Sequence, residues 1–138
     1  MEKQNIRTVT PEQLGELVDF ISIDVAFISL DKVLPVATTL LKDTGSLVAL
    51  IKPQFEAGKE NVGKGGIVRD SNIHKEVLHR ILQVAYDCGL YIHGLTFSPI
   101  KGMEGNIEFL GYFKKYEEGA LTINDELIDA VVTEAHSL

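Results

Sequence analysis

The sequence predicts an α/β fold with a mostly parallel sheet that closes in an antiparallel hairpin. Three observations point there. A strand–helix–strand pattern fits within residues 19–51. A long amphipathic helix pattern separates that unit from the next strand. Two further strand patterns then follow each other with only a short turn between them, which leaves no room for a crossover helix.

The elements follow from local chemistry. Residues 19–25, DFISIDV, form an apolar run that ends in a carboxylate. Ser29 is placed to cap a helix whose apolar positions, Leu30, Val33, Leu34, Ala37, Leu40 and Leu41, recur three and four apart. Gly45 reads as the stop signal of that helix. Residues 46–51, SLVALI, are continuously apolar, as in a buried parallel strand. The resulting βαβ unit is expected to cross over right-handed. Residues 52–69 hold four glycines and one proline without a helical or alternating period, so they read as an irregular loop. A loop of that length in a compact domain is usually functional or mobile. Asp70 or Ser71 caps the next helix, with Ile73, Val77, Leu78, Ile81, Leu82, Ala85 and Cys88 on its apolar face and Gly89 at its end. Residues 90–98 and 106–113 are the hairpin strands. Residues 122–136 form a terminal helix with Leu127, Ile128, Val131 and Val132 apolar.

Composition bounds the function. The 138 residues fit one domain, and 45% hydrophobic with 24% charged is an ordinary globular balance. No stretch has the apolar length of a membrane helix, and the polar start MEKQNIRTVT lacks the apolar core of a signal peptide. Cys88 is the one cysteine, which excludes an intramolecular disulfide and fits a reducing, cytoplasmic setting. The net charge of −7 argues against coating nucleic acid by bulk electrostatics. The charge is uneven, however. Lys52 to Arg80 holds six basic and four acidic residues, while the 22 residues from Glu117 hold six acids and no Lys or Arg.

In such sheets ligands bind beyond the carboxyl ends of the strands. Asp24 ends the first strand and either caps a turn or faces a ligand. Lys52 directly follows the second strand. It either snorkels to water or, held at an apolar rim where desolvation favours the neutral amine, serves as a base or donor. Pro53 fixes the chain direction just past it. Glu108 alternates with Asn106 and Leu110 on one face of its strand, where an outward acid on a half-exposed strand is the plain alternative. The segment GKENVGKG, residues 58–65, resembles a phosphate loop but has Gly65 where a hydroxyl is needed, and it begins well after the strand, so a nucleoside-triphosphate site is rejected. His74 and His79 do not share a helix face, and His93 and His136 stand isolated in sequence. No metal site is expected. Cys88 reads as core.

The segments IDVAFISL, ALIKPQFEAGKENVGKGGIVRD and GLTFSPIKGMEGNIEF, in that order and spacing, resemble the TlyA/hemolysin A family of FtsJ-type RNA methyltransferases across about residues 5–114. The resemblance implies a partial Rossmann-like methyltransferase fold lacking its first βαβ cofactor-binding half. It implies methyl transfer from S-adenosylmethionine to a ribose 2'-hydroxyl of ribosomal RNA. In the family's Lys–Asp–Lys–Glu catalytic set, Asp24, Lys52 and Glu108 match the last three members, and the first lysine has no counterpart here. Asp24, Val25, Ala26 and Phe27 would meet the cofactor, and Lys59, Lys64 and Arg69 would meet RNA phosphates. The glycine-rich cofactor motif also lies upstream in the family, so weak or absent cofactor binding is expected of this chain alone.

These expectations divide the chain into a truncated methyltransferase domain, residues 1–115, and an acidic carboxy-terminal helix, residues 116–138. The partner is ribosomal RNA, not a membrane. The competing reading is a non-catalytic fragment or degenerate paralogue that self-associates as a homodimer through a bare sheet edge. Membrane lysis, suggested by the family's older name, finds no basic amphipathic helix to support it.

Overall fold

A computed structural model describes residues 17–25, 28–56, 70–98 and 106–137. In chain order the elements are β1 (Val18–Ile23), α1 (Leu30–Leu40), β2 (Leu41–Ile51), α2 (Pro53–Glu56), α3 (Ser71–Asp87), β3 (Tyr91–Phe97), β4 (Phe109–Lys114) and α4 (Asp125–His136). The sheet order is β1-β2-β4-β3. β1 and β2 are parallel, while β4 runs antiparallel to both β2 and β3. Three strands therefore point one way and β4 the other, the mostly parallel sheet with a closing hairpin that the sequence predicts. The hairpin does not simply extend the sheet. Its second strand slots between β2 and β3.

Alternation along the strands sends one set of side chains to the core. Ile21, Ile23, Leu47, Ala49, Ile51, Ile92, Phe109 and Phe113 are buried and join one cluster with residues of α1, α3 and α4. The alternate positions Phe20, Ser22 and Tyr112 face away and remain exposed. The apolar positions read for the first helix, from Leu30 to Leu41, are all buried.

The caps are local and legible. Ser29 Oγ accepts from the Asp31 N–H at 3.2 Å, and Asp70 Oδ1 accepts from the Asn72 N–H at 2.8 Å. α3 ends in a Schellman motif. The Gly89 N–H donates to the Tyr86 carbonyl and the Leu90 N–H to the Ala85 carbonyl, with Gly89 at φ 88°.

Gly45 does not stop α1, contrary to expectation. The helix ends at Leu40 and β2 begins at Leu41, so Gly45 lies inside the strand. Two facts explain the difference. The helix end is satisfied from a distance, because Lys115 Nζ donates to the carbonyls of Thr38 and Leu41 at 3.0 and 2.9 Å. Gly45 is instead needed for close packing. A Cβ there would lie 2.6 Å from Leu41 Cδ1 and 2.9 Å from the Asp19 carbonyl oxygen.

The acidic helix α4 docks onto α3. Asn124 caps it by accepting from the Leu127 N–H at 2.9 Å, and Ile128, Val131, Val132 and Ala135 enter the common core. Its acids meet side chains of α3: Lys75 Nζ lies 3.3 Å from Asp129, and His79 Nε2 2.9 Å from Asp125. These exposed pairs contribute little beside the apolar stripe. Ile128→Ala should therefore lower unfolding free energy in urea by about 2–4 kcal/mol, while Glu126→Ala stays within about 0.5 kcal/mol. A neutral Ile128→Ala would show that α4 does not dock.

Candidate functional site

The rim of the sheet is set by where three strands stop or start. β1 ends at Ile23, so Asp24 is the first residue past it. β2 ends at Ile51, so Lys52 is the first residue past that strand. β2 and β4 pair up to Ile51 opposite Phe109, so Lys52, just after β2, and Glu108, just before β4, lie at the same end of the sheet. All three candidate residues thus occupy one end of the sheet.

Their contacts differ. Lys52 Nζ lies 2.5 Å from Asp24 Oδ1, with the lysine side chain 16% exposed and the aspartate 64% exposed. A largely desolvated ammonium is thereby matched by a carboxylate that opens to solvent. Glu108 is buried and sits just ahead of β4, not within it. The expectation of an outward acid on a half-exposed strand fails because β4 begins only at Phe109. The alternation that assigns faces does not extend back to Glu108. Its carboxylate accepts from Gln54 Nε2 at 2.9 Å. Gln54 stands two residues after Lys52, so the segment leaving β2 carries both the lysine and the amide that holds the glutamate.

Residues 53–56 are not irregular, as the sequence suggested, but form the single turn α2. Glu56 ends this turn with its side chain 2% exposed. Ser29 Oγ donates to Glu56 Oε1 at 2.6 Å, and the Leu30 N–H to Oε2 at 2.8 Å. Arg80 Nη2 donates to the Glu56 carbonyl at 2.6 Å and approaches Oε1 at 3.1 Å. Sequence reasoning passed over both Gln54 and Glu56. Their only local signal was a position just after a strand-end lysine.

The remaining expected site residues divide by where they fall. Val25 is half-buried against the core. Ala26, Phe27, Lys59, Lys64 and Arg69 lie outside the described residues. The histidines are less isolated than their spacing implies: His74 Nδ1 lies 2.8 Å from His136 Nε2, and His93 Nε2 lies 2.9 Å from the Tyr116 carbonyl oxygen. Among the described residues, no group of three metal-ligating side chains converges, and no helix is long and apolar enough to cross a membrane.

What the rim offers is an exposed carboxylate beside an apolar side chain, Asp24 and Val25, next to a shielded amine with a buried acid across from it. A shielded amine beside a carboxylate can position a hydroxyl and, when neutral, accept its proton.

Comparison with known proteins identifies the family. Residues 1–115 match the FtsJ-like methyltransferase family. The chain is 47% identical over 139 residues to the Bacillus subtilis protein named "Putative rRNA methyltransferase YqxC", covering 99% of this chain and 50% of that protein. It is 36% identical over 131 residues to the Mycobacterium tuberculosis protein named 16S/23S rRNA (cytidine-2'-O)-methyltransferase TlyA, covering 95% of this chain and 48% of that one. A solved structure from Streptococcus thermophilus, named "Putative hemolysin", superposes with a TM-score of 0.88 at 46% identity, covering 99% of this chain and 50% of that chain. The chain spans about half the length of the curated relatives it matches.

Cys88 stands apart from the rim, at the end of α3, and its thiol is pushed up from its usual range by burial and then by the Asp87 charge. A raised value means less thiolate at a given pH, and the thiolate is the nucleophile. Iodoacetamide at pH 8 should accordingly alkylate Cys88 more slowly in the folded chain than in urea, with the pH–rate midpoint moved upward. Asp87→Asn should speed the reaction. Equal rates in folded and unfolded chains would contradict this account.

Proposed function

This chain belongs to the FtsJ-like methyltransferase family, and from that premise we propose that it supplies the catalytic rim of an S-adenosylmethionine-dependent enzyme that methylates a ribose 2'-hydroxyl of ribosomal RNA. The observation that carries the reading is the Lys52–Asp24 pair, 2.5 Å apart at the carboxyl ends of two parallel strands. Relatives named as ribosomal RNA methyltransferases, one of them a cytidine-2'-O-methyltransferase, support the substrate class.

When bound, S-adenosylmethionine supplies a methyl group on a positively charged sulfur that leaves as a neutral thioether. Asp24 and Val25 would hold it, with Ala26 and Phe27 continuing that wall. The protein's own part is orientation and proton removal. Lys52 would lie nearest the attacking hydroxyl. With the cofactor's positive sulfur beside it, its amine would be kept neutral, orient the 2'-oxygen toward the methyl carbon and take the proton as the new C–O bond forms. Asp24 balances the resulting ammonium, and Glu108, held by Gln54, adds a buried carboxylate at the same end of the sheet. Lys59, Lys64 and Arg69 would meet RNA phosphates, which position the strand without reading its sequence.

A second reading has its own observation. Among the described residues β1 pairs with β2 alone, at the end of the sheet order. A strand edge of this kind can pair with another copy, which would make the chain a self-associating, non-catalytic module.

Calorimetric titration of the whole protein with S-adenosylmethionine separates the two. Micromolar binding favours a competent rim, whereas silence together with a dimer in sedimentation favours the module. In the whole protein, Lys52→Ala should reduce methyl transfer to ribosomal RNA by at least about 100-fold without changing the melting temperature. The wild-type product should resist alkaline hydrolysis at the modified nucleotide, because a blocked 2'-oxygen cannot attack the neighbouring phosphate. Full activity in Lys52→Ala would remove Lys52 from the mechanism.

A further inference from the structure

We infer that Glu56 is a positioning residue for Lys52 and Glu108, acting through the single turn α2; the inference rests on the reading of the rim just given. A buried carboxylate is costly unless its lone pairs are matched, and Glu56, 2% exposed, is matched three times over. It takes the Ser29 hydroxyl at 2.6 Å and the Leu30 N–H at 2.8 Å from the start of α1, and Arg80 Nη2 at 3.1 Å from the middle of α3. Arg80 also grips the Glu56 backbone carbonyl at 2.6 Å, while its Nη1 lies 3.8 Å from Asp31. Three elements meet on one side chain.

Capping α1 does not by itself require Glu56. Ser29 is already the N-cap and accepts from the Asp31 N–H. What depends on Glu56 is α2. One helical turn of four residues cannot hold itself together in water, so its place must be fixed from outside. Its internal bond runs from the Phe55 N–H to the Lys52 carbonyl at 2.9 Å, which joins the turn directly to the lysine. Gln54, in the middle of the turn, holds Glu108 at 2.9 Å. The Glu56 anchor thus sets where the Lys52 amine points and where the Gln54 amide stands. It is a positioning residue because its contacts are with Ser29, Leu30 and Arg80, not with reacting atoms.

The test uses two readouts. In this chain, labelled with ¹⁵N at lysine, the paired and shielded Lys52 ammonium should give a resolved ¹H–¹⁵N signal, assigned by its loss in Lys52→Ala. Glu56→Ala should broaden or remove that signal while the far-ultraviolet circular dichroism stays native. Should Glu56→Ala fail to fold, the isosteric Glu56→Gln is read instead, with a smaller displacement expected. In the whole protein, Glu56→Gln should lower kcat about 10- to 100-fold, with KM for RNA and cofactor within about twofold. Adding Glu56→Gln to Lys52→Ala should cause no further loss. An unchanged Lys52 signal with wild-type kcat in Glu56→Gln overturns the positioning role. If Lys52→Ala is itself fully active, it is the underlying reading of the rim that fails, and the two failures are distinguishable.

Discussion

The register between β2 and β4 is the constraint on which the rest of this structure depends. Ile51 opposite Phe109 brings the exit of one strand and the entry of another to the same level of the sheet. Because side chains alternate with a period of two, a slip of one residue would turn Phe109 and Phe113 out of the core. Core packing and rim geometry are therefore specified together. The large buried rings that hold the register also keep Lys52 and Glu108 at the same end of the sheet. Parallel pairing of β1 with β2 then supplies Asp24 from the other flank.

A second layer of control lies in the helices. α1 and α3 pack on the same face of the sheet, and the carboxylate of Glu56 lies between the start of α1 and the middle of α3. A charge sealed there in place of an apolar side chain makes the junction directional. The placement of the turn after β2 satisfies the Ser29 hydroxyl, the Leu30 amide and the Arg80 guanidinium together. Buried charged groups often contribute more to uniqueness than to net stability, and the rim is where uniqueness of geometry has chemical value.

Much of the fold was legible because its signals are local. Ser29, Asp70 and Gly89 announce helix ends through bonds that span a few residues. The apolar spacing of α1 and α3 shows their buried faces directly. The hairpin followed from a turn too short for a helix. What escaped was long-range. Lys115 finishes α1 from more than seventy residues away, so the nearby Gly45 drew the stop signal instead. His74 meets His136 and Gln54 meets Glu108 across similar separations. No periodicity records such pairs. At the rim, Asp24 and Lys52 were visible as polar residues ending apolar runs. The burial of Glu108 was not, because the alternation was carried back past the true start of its strand. The insertion of β4 between β2 and β3 also left no mark in the pattern of any single segment.

The Lys115 ammonium has one more implication. It bonds two carbonyls at the junction of α1 with β2 while standing directly after the last strand, at the final residue of the family match. It works as a clasp between the opening and the close of the described sheet. A dissected version of this protein that stopped at Lys114 would leave those two carbonyls bare and unlatch the βαβ unit from the hairpin. One that stopped just after Lys115 would retain the latch and forfeit the packing of α4 together with the bonds that Tyr116 and Leu121 make to β3.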